Sequence, residues 1–180
     1  VPEEIRAAAQ EFAIDGGHSS AMFRVMHLGV TPFWGRFNRV EGRFRIDPES
    51  PDESLIEVSI PAASIDTNSG NRDKHLKSPD FFNAAEHPNL TFKSSKVESA
   101  GEDRFRVTGV LEIRGKAKEI KIDVEHIATR DAGQRFGLRS GYETRFTIAR
   151  TDFGVNYGAD SGALGKDVEL IIALEGMGKE

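Results

Sequence analysis

Between residues 105 and 113 the chain alternates with almost no exception. Phe105, Val107, Gly109, Leu111 and Ile113 share one parity, and Arg104, Arg106, Thr108, Glu112 and Arg114 share the other. A period of two places each set on its own face of a β-strand, so this strand has one apolar and one charged side. The pattern returns along most of the chain. Ile120, Ile122 and Val124 alternate with Lys121, Asp123 and Glu125, and Tyr142, Thr144, Phe146 and Ile148 form a further row. The strand expectations are 12–15, 21–28, 34–47, 55–60, 90–97, 104–113, 119–127, 136–150 and 167–175. No helical repeat and no linker interrupts them.

One segment changes parity. Gly35 and Phe37 lie on one phase, whereas Val40, Gly42, Phe44 and Ile46 lie on the other. Keeping both sets inward requires an extra residue, which places a β-bulge near Asn38-Arg39. A sheet of about eight antiparallel strands avoids exposed edges by closing on itself. The predicted fold is all-β, a closed or nearly closed eight-stranded barrel spanning 12–176, preceded by an arm over 1–11 that could form a short helix.

Residues 64–87 break the strand pattern. They are rich in Asn, Asp, Ser and Gly, and helical turns are expected over 71–77 and 79–83, with Ser78 capping the second. A connection this long suggests a lid over one barrel end. Phe81 and Phe82 would pack and cover. Arg72, Asp73 and His75 would fix the segment, with Arg72 and Asp73 pairing to each other. Residues 152–165, with four glycines, read as a flexible loop.

Composition removes several function classes. The net charge of -5 gives no basic stripe for nucleic acid. The absence of cysteine removes disulfides, thiolate nucleophiles and zinc–thiolate sites together. No apolar run approaches the ~20 residues of a membrane-spanning helix. The histidines His18, His27, His75, His87 and His126 form no tight ligand pair, so no metal site is expected. No G-x-S-x-G elbow is present, and the glycines of the 158–165 region do not lead from a strand into a helix as a dinucleotide site requires. The chain starts Val1-Pro2 without an initiator methionine, which suggests removal of an upstream segment.

The apolar face remains. The sequence holds 12 Phe against one Trp and two Tyr, many of them on the inward parity of long strands. Long strands with a lid enclose more space than a minimal barrel fills, and an apolar concavity is the usual form of a small-molecule site. The expected lining is Phe23, Val25, Phe37, Phe44, Ile46, Phe92, Phe105, Val107, Leu111, Ile113, Ile120, Ile122, Phe146 and Ile148. His27 would be a polar anchor at the mouth.

A set of motifs spread along the chain resembles the YceI-like family of polyisoprenoid-binding, lipocalin-like proteins. The matching pieces are His18-Ser19, Phe23, Val25, His27-Leu28-Gly29, Gly35-x-Phe37 and Gly42-x-Phe44, then Ser64-Ile65-Asp66-Thr67, Arg72-Asp73-x-His75-Leu76 and Asp80-Phe81-Phe82. Pro88, Phe92, Gly109-x-Leu111-x-Ile113-x-Gly115, Arg150-x-Asp152-Phe153-Gly154 and Asp167-Val168-x-Leu170 complete the series. His87 and Thr151 depart from that pattern, where an aromatic and a serine are common. The resemblance implies a barrel that binds, and transports or stores, a long isoprenoid or similar amphiphilic lipid without catalysis. It also implies a periplasmic or secreted bacterial protein, with a cytoplasmic location as the alternative and a homodimer as a possible assembly. Two other readings stay open: a carrier of a polyprenyl quinone, and a lipocalin-like lipid isomerase or cyclase, for which His27 would be the acid–base group.

Overall fold

The computed structural model describes residues 10–47 and 49–178, so the arm expected over 1–11 lies outside the described residues except for Gln10 and Glu11. Eleven strands form one sheet: β1 (Phe12–Ile14), β2 (Ser20–His27), β3 (Thr31–Phe37), β4 (Glu41–Arg45), β5 (Leu55–Pro61), β6 (Ile65–Asp66), β7 (Asn89–Gly101), β8 (Arg104–Ile113), β9 (Lys116–Asp131), β10 (Leu138–Ala149) and β11 (Leu164–Gly178). Among the described residues one α-helix, α1 (Gly70–Leu76), lies between β6 and β7. All the pairings are antiparallel, and β1 closes the ring on β11 through Phe12↔Gly178.

The eleven strands make eight staves, because three staves are interrupted. β1 and β2 lie in succession along β11, while β4 and β3 lie in succession along them. β5 and β6 likewise pair with β4 and β3 in turn. The eight-stranded closed barrel read from the alternation is therefore the observed fold. Its strands are longer than predicted at several ends. β3 starts at Thr31, inside the expected turn, and β11 runs to Gly178, past the expected limit at 176.

The parity change between Phe37 and Phe44 is real, and both rings are buried. It takes the form of a break over 38–40 rather than a single bulged residue. The break faces the interruption between β5 and β6. There the Asn38 N–H donates to the Ser64 carbonyl at 2.8 Å, the Arg39 N–H donates to Ser64 Oγ at 3.3 Å, and Asn38 Nδ2 donates to Asp66 Oδ2 at 3.0 Å. Two defects in adjacent staves thus satisfy each other's backbone. Just beyond, Gly42 has φ +136°, and a Cβ there would stand 2.0 Å from the Glu57 carbonyl oxygen. Only glycine permits this bend.

The ends of the barrel differ. At one end the interior is solid. Phe12 stacks on Phe44 at 5.5 Å, Phe44 meets the edge of Tyr142 at 5.1 Å, and Phe105 lies 6.5 Å from Tyr142. Val97 and Val107 fill the remainder and are essentially inaccessible. This floor desolvates the Tyr142 phenol and pushes its pKa up to about 12. Behind it, His126 Nδ1 and Asp103 Oδ1 lie 3.1 Å apart, and His126 Nε2 lies 2.9 Å from Thr129 Oγ1, which is 2.7 Å from Ser140 Oγ.

Beside the floor, Arg139 donates to Asp15 Oδ2 at 2.9 Å and lies 3.6 Å from Glu175. His18 pairs with the same Asp15 at 3.0 Å. Asp15, His18 and Glu175 bring their ligating atoms within 4.8 Å of one another. The Arg139 guanidinium already engages both carboxylates, with His18 as a second partner of Asp15, so we read the group as a staple joining the β1–β2 turn to β10 and β11.

Candidate functional site: an apolar lumen beneath a lid

Above the floor the barrel is hollow. A central cavity of about 110 Å³ is bordered by Phe44, Ile46, Ile56, Val58, Phe92, Leu111, Ile122, Tyr142, Phe146 and Ile172, among others. A second cavity of about 90 Å³ lies toward the lid and is bordered by Phe23, Val25, Leu76, Phe81, Phe82, Ile148, Phe153, Val155 and Leu164. Phe37, Leu90, Ile113 and Leu170 border both, so the two spaces abut end to end along the barrel axis. Their surface is almost wholly carbon. Inward residues such as Val58, Phe92, Phe146, Leu170 and Leu174 are only partly buried, although they point into the barrel. Their exposed area faces the lumen.

Several expected lining residues lie elsewhere. Phe105 and Val107 border neither cavity, because they are buried in the floor. Ile120 is inward and packs on both apolar clusters but also borders neither space. His27 keeps the parity of Phe23 and Val25 and is still paired to Leu164 of β11 and Thr31 of β3, but its imidazole is exposed and borders neither cavity. Sequence reasoning missed Leu76, Leu90, Phe153 and Val155. Phe153 and Val155 straddle Gly154 in the segment expected to be flexible, and both are buried. That segment is a packed end wall. An alternating apolar pair inside a glycine-rich stretch was the available signal.

A buried arginine holds the wall. Arg150 donates from Nε to the Gly165 carbonyl at 2.6 Å, and from its two terminal nitrogens to the carbonyls of Val155 at 2.7 Å and Leu164 at 2.9 Å. Burial lowers its pKa, but a guanidinium stays charged in a protein. Three carbonyl dipoles stand in for a carboxylate.

The segment after β6 closes the same end. α1 is capped by Ser69, which accepts the Arg72 N–H. The second expected helix is absent: residues 78–87 form turns, and Ser78 Oγ accepts only the Asp80 N–H. Arg72 and Asp73 do not pair with each other. Both grip Thr67 instead. Arg72 donates to Thr67 Oγ1 at 2.8 Å and to its carbonyl at 2.6 Å, while Asp73 Oδ1 accepts from the Thr67 N–H at 2.9 Å and its hydroxyl at 2.5 Å. The Arg72 guanidinium also lies 4.3 Å over the Phe33 ring of β3.

Beyond α1, Phe82 meets the Phe37 ring at 5.7 Å, and Phe81 is buried against His75 at 5.1 Å and Tyr157 at 5.0 Å. His75 Nε2 lies 2.9 Å from Asp80 Oδ2. Arg72, Asp73 and His75 border neither cavity, whereas Phe81 and Phe82 border the outer one. Arg114, in the β8–β9 turn, donates to the Pro79 carbonyl at 2.6 Å and to that of Gly154. One guanidinium thereby ties the lid segment to the end wall. Beside it, Gly115 at φ +69° leaves room for the His87 ring, which a Cβ would approach to 2.7 Å.

A closed antiparallel barrel with an apolar, lidded lumen defines a class of hollow β-proteins. Within that class, the YceI-like domain pattern matches residues 12–176, and the chain belongs to this family. It is 38% identical over 172 residues to a UPF0312 protein of Pectobacterium atrosepticum, covering 95% of this chain and 87% of that one. A UPF0312 protein of Pseudomonas aeruginosa is 37% identical over 174 residues, with coverage of 96% and 89%. The YceI protein of Campylobacter jejuni superposes with a TM-score of 0.75 at 30% identity, over 86% of this chain and 90% of that one. Burkholderia cenocepacia BcnA shares the fold at a TM-score of 0.82 and 23% identity, with coverage of 90% and 98%. So does a polyisoprenoid-binding domain from Saccharophagus degradans, at 0.69 and 16%, with coverage of 96% and 100%.

Proposed function

We propose that the barrel holds a long isoprenoid chain or a comparable amphiphilic lipid, tail inward, and carries or stores it without chemical change. The observation that supports this most is the succession of two apolar cavities, sharing Phe37, Leu90, Ile113 and Leu170, between the Tyr142 floor and the lid segment. Burying ten methylenes at ~0.8 kcal/mol each is worth about 8 kcal/mol, which is the scale of a micromolar Kd before ordering costs. Almost none of the wall surface is polar, so the lumen selects chiefly by length and width. The polar head then stays in water at the lid end. The polyisoprenoid-binding description of the Saccharophagus degradans domain is consistent with such a cargo.

An isomerase or cyclase needs an acid or base at the substrate. The imidazole considered for that role, His27, is exposed outside the lumen, and the Tyr142 phenol is held protonated at neutral pH. Binding is therefore the better reading. A polyprenyl quinone fits the same lumen, since only its tail would enter. Among the described residues no helix is long and apolar enough to cross a membrane. We place the protein in the periplasm or outside the cell as part of this proposal, and cell fractionation tests that location. The cargo is tested by solvent extraction of the purified protein followed by mass spectrometry, with titration of the stripped protein by polyprenols. Recovery of a polyprenyl lipid and saturable binding are expected. A protein that is empty and binds no polyprenol would refute the reading.

A further inference from the structure

The ladder between β9 and β10 is only half zipped. It runs from Leu138↔Asp131 to Thr144↔Val124 and stops. From there toward the lid, β9 continues to pair with β8 as far as Ile113↔Lys116, and β10 continues to pair with β11 as far as Ala149↔Asp167. Each therefore keeps one neighbour and loses the other. The last carbonyl at the fork, that of Asp123, is taken by a side chain, the Thr144 hydroxyl at 2.7 Å. Unpaired strand edges within a barrel wall leave backbone groups to water and are not an incidental feature.

The seam has defined limits. One end is the Thr144↔Val124 pair. At the other, Lys118 of β9 reaches Asp152, just after β10, at 3.5 Å. Between them lie residues 119–123 and 145–149, which no ladder pairing joins over roughly 17 Å at the rise of a strand. The inward residues along it are Ile120, Ile122, Phe146 and Ile148. Ile122 and Phe146 border the central cavity and Ile148 the outer one, while Ile120 and Phe146 are only partly buried. The closing ion pair is about half exposed on both sides. Such a pair is worth little in water, so the strap opens at small cost.

We infer that this seam is a lateral port, through which the tail of an amphiphile passes sideways into the lumen while its polar head stays in water near Lys118 and Asp152. This rests on the lipid-binding reading above and adds a route to it. Threading a long chain end-on past Phe81 and Phe82 would require the whole lid segment to lift. A slot that meets the lumen along its length admits the chain with neither the lid nor the floor disturbed.

The absence of cysteine makes the test direct. Lys121 and Thr147 are both exposed, face outward and flank the slot. Extension of the existing register would set them opposite each other. In the K121C/T147C variant the two thiols are joined by a bismaleimide, and retinol release to phosphatidylcholine vesicles is followed by fluorescence. A bridged protein is expected to release retinol at least tenfold more slowly than the same variant capped with a monofunctional maleimide. The variant D152N, which removes the strap, is expected to release it several-fold faster. Equal release from bridged and capped protein, each folded by circular dichroism, overturns the port and leaves the lid end as the route. An uncapped protein that binds neither retinol nor a polyprenol refutes the lipid-binding reading itself.

Discussion

Ile113 borders both cavities and so stands at the junction of the lumen. Replacing it by tryptophan should cut the lumen in two. In the native protein each added isoprene unit buries about five more carbons, at ~0.8 kcal/mol each. That is about 4 kcal/mol, from which ordering of the chain removes on the order of half. The remaining ~2 kcal/mol corresponds to a roughly thirtyfold tighter Kd per unit. A series of polyprenols of increasing length, titrated by competition against retinol fluorescence, should therefore show a steep ladder of affinities that ends at the floor. In I113W the ladder should flatten once the chain reaches the junction. In L111W, which narrows only the central cavity, it should flatten one step later. Overpacking is expected to cost ~1–3 kcal/mol of stability, read from the denaturant midpoint. A folded I113W protein that keeps the native dependence on chain length would refute the continuous lumen.

Three further outcomes are expected. T67V removes the hydroxyl shared by Arg72 and Asp73, which should lower stability by ~1–3 kcal/mol and speed lipid release if the lid gates the end; an unchanged release rate would assign the segment a structural role only. G42A forces a Cβ against the Glu57 carbonyl at an unfavourable φ, and should cost ~2–5 kcal/mol in urea unfolding, the sum of backbone strain and overpacking; a loss under 1 kcal/mol would mean that β4 can straighten. His18 titrates above its ordinary 6.5 because it pairs with Asp15, which in turn titrates below its ordinary 3.8. The His18 contribution is full below pH 6.5 and is lost as pH rises through its raised pKa, and the Asp15 contribution is full above 3.8 and is lost as pH falls through its lowered pKa. NMR titration placing His18 at or below 6.5 would remove this pair from the account.

The wall of the barrel was legible because a strand reveals its inward face through a period of two, and burial on one face forces that period. The parity change between Phe37 and Phe44 was legible for the same reason. What it could not disclose is that a break, and not a bulge, carries the change. That depends on Ser64 arriving from a different stave to satisfy Asn38 and Arg39. The lid was legible as a gap in the alternation. Its anchor at Thr67 was not, since Arg72 and Asp73 adjoin in sequence and look like partners until the helix turns both toward a third residue.

Depth along the barrel is the variable that alternation does not encode. Phe105, Val107, Leu111 and Ile113 share one strand, one face and one chemical type, yet the first two are floor and the last two are lumen. The difference is set by what enters from elsewhere: Phe12 from the first strand, Phe44 beyond the break in the stave of β3 and β4, and Tyr142 from β10 converge on one level. The seam is hidden in the same way. Ile120, Ile122 and Val124 read as a uniform inward row, but only Val124 keeps a ladder partner in β10. A side-chain pattern reports which face is apolar. Which strand edge is hydrogen-bonded is decided by how two staves diverge, and there the Lys118–Asp152 pair bridges the far end of the gap without zipping it. The proposed lipid binding and lateral entry rest on these two unencoded quantities, the depth of the floor and the extent of the zipper.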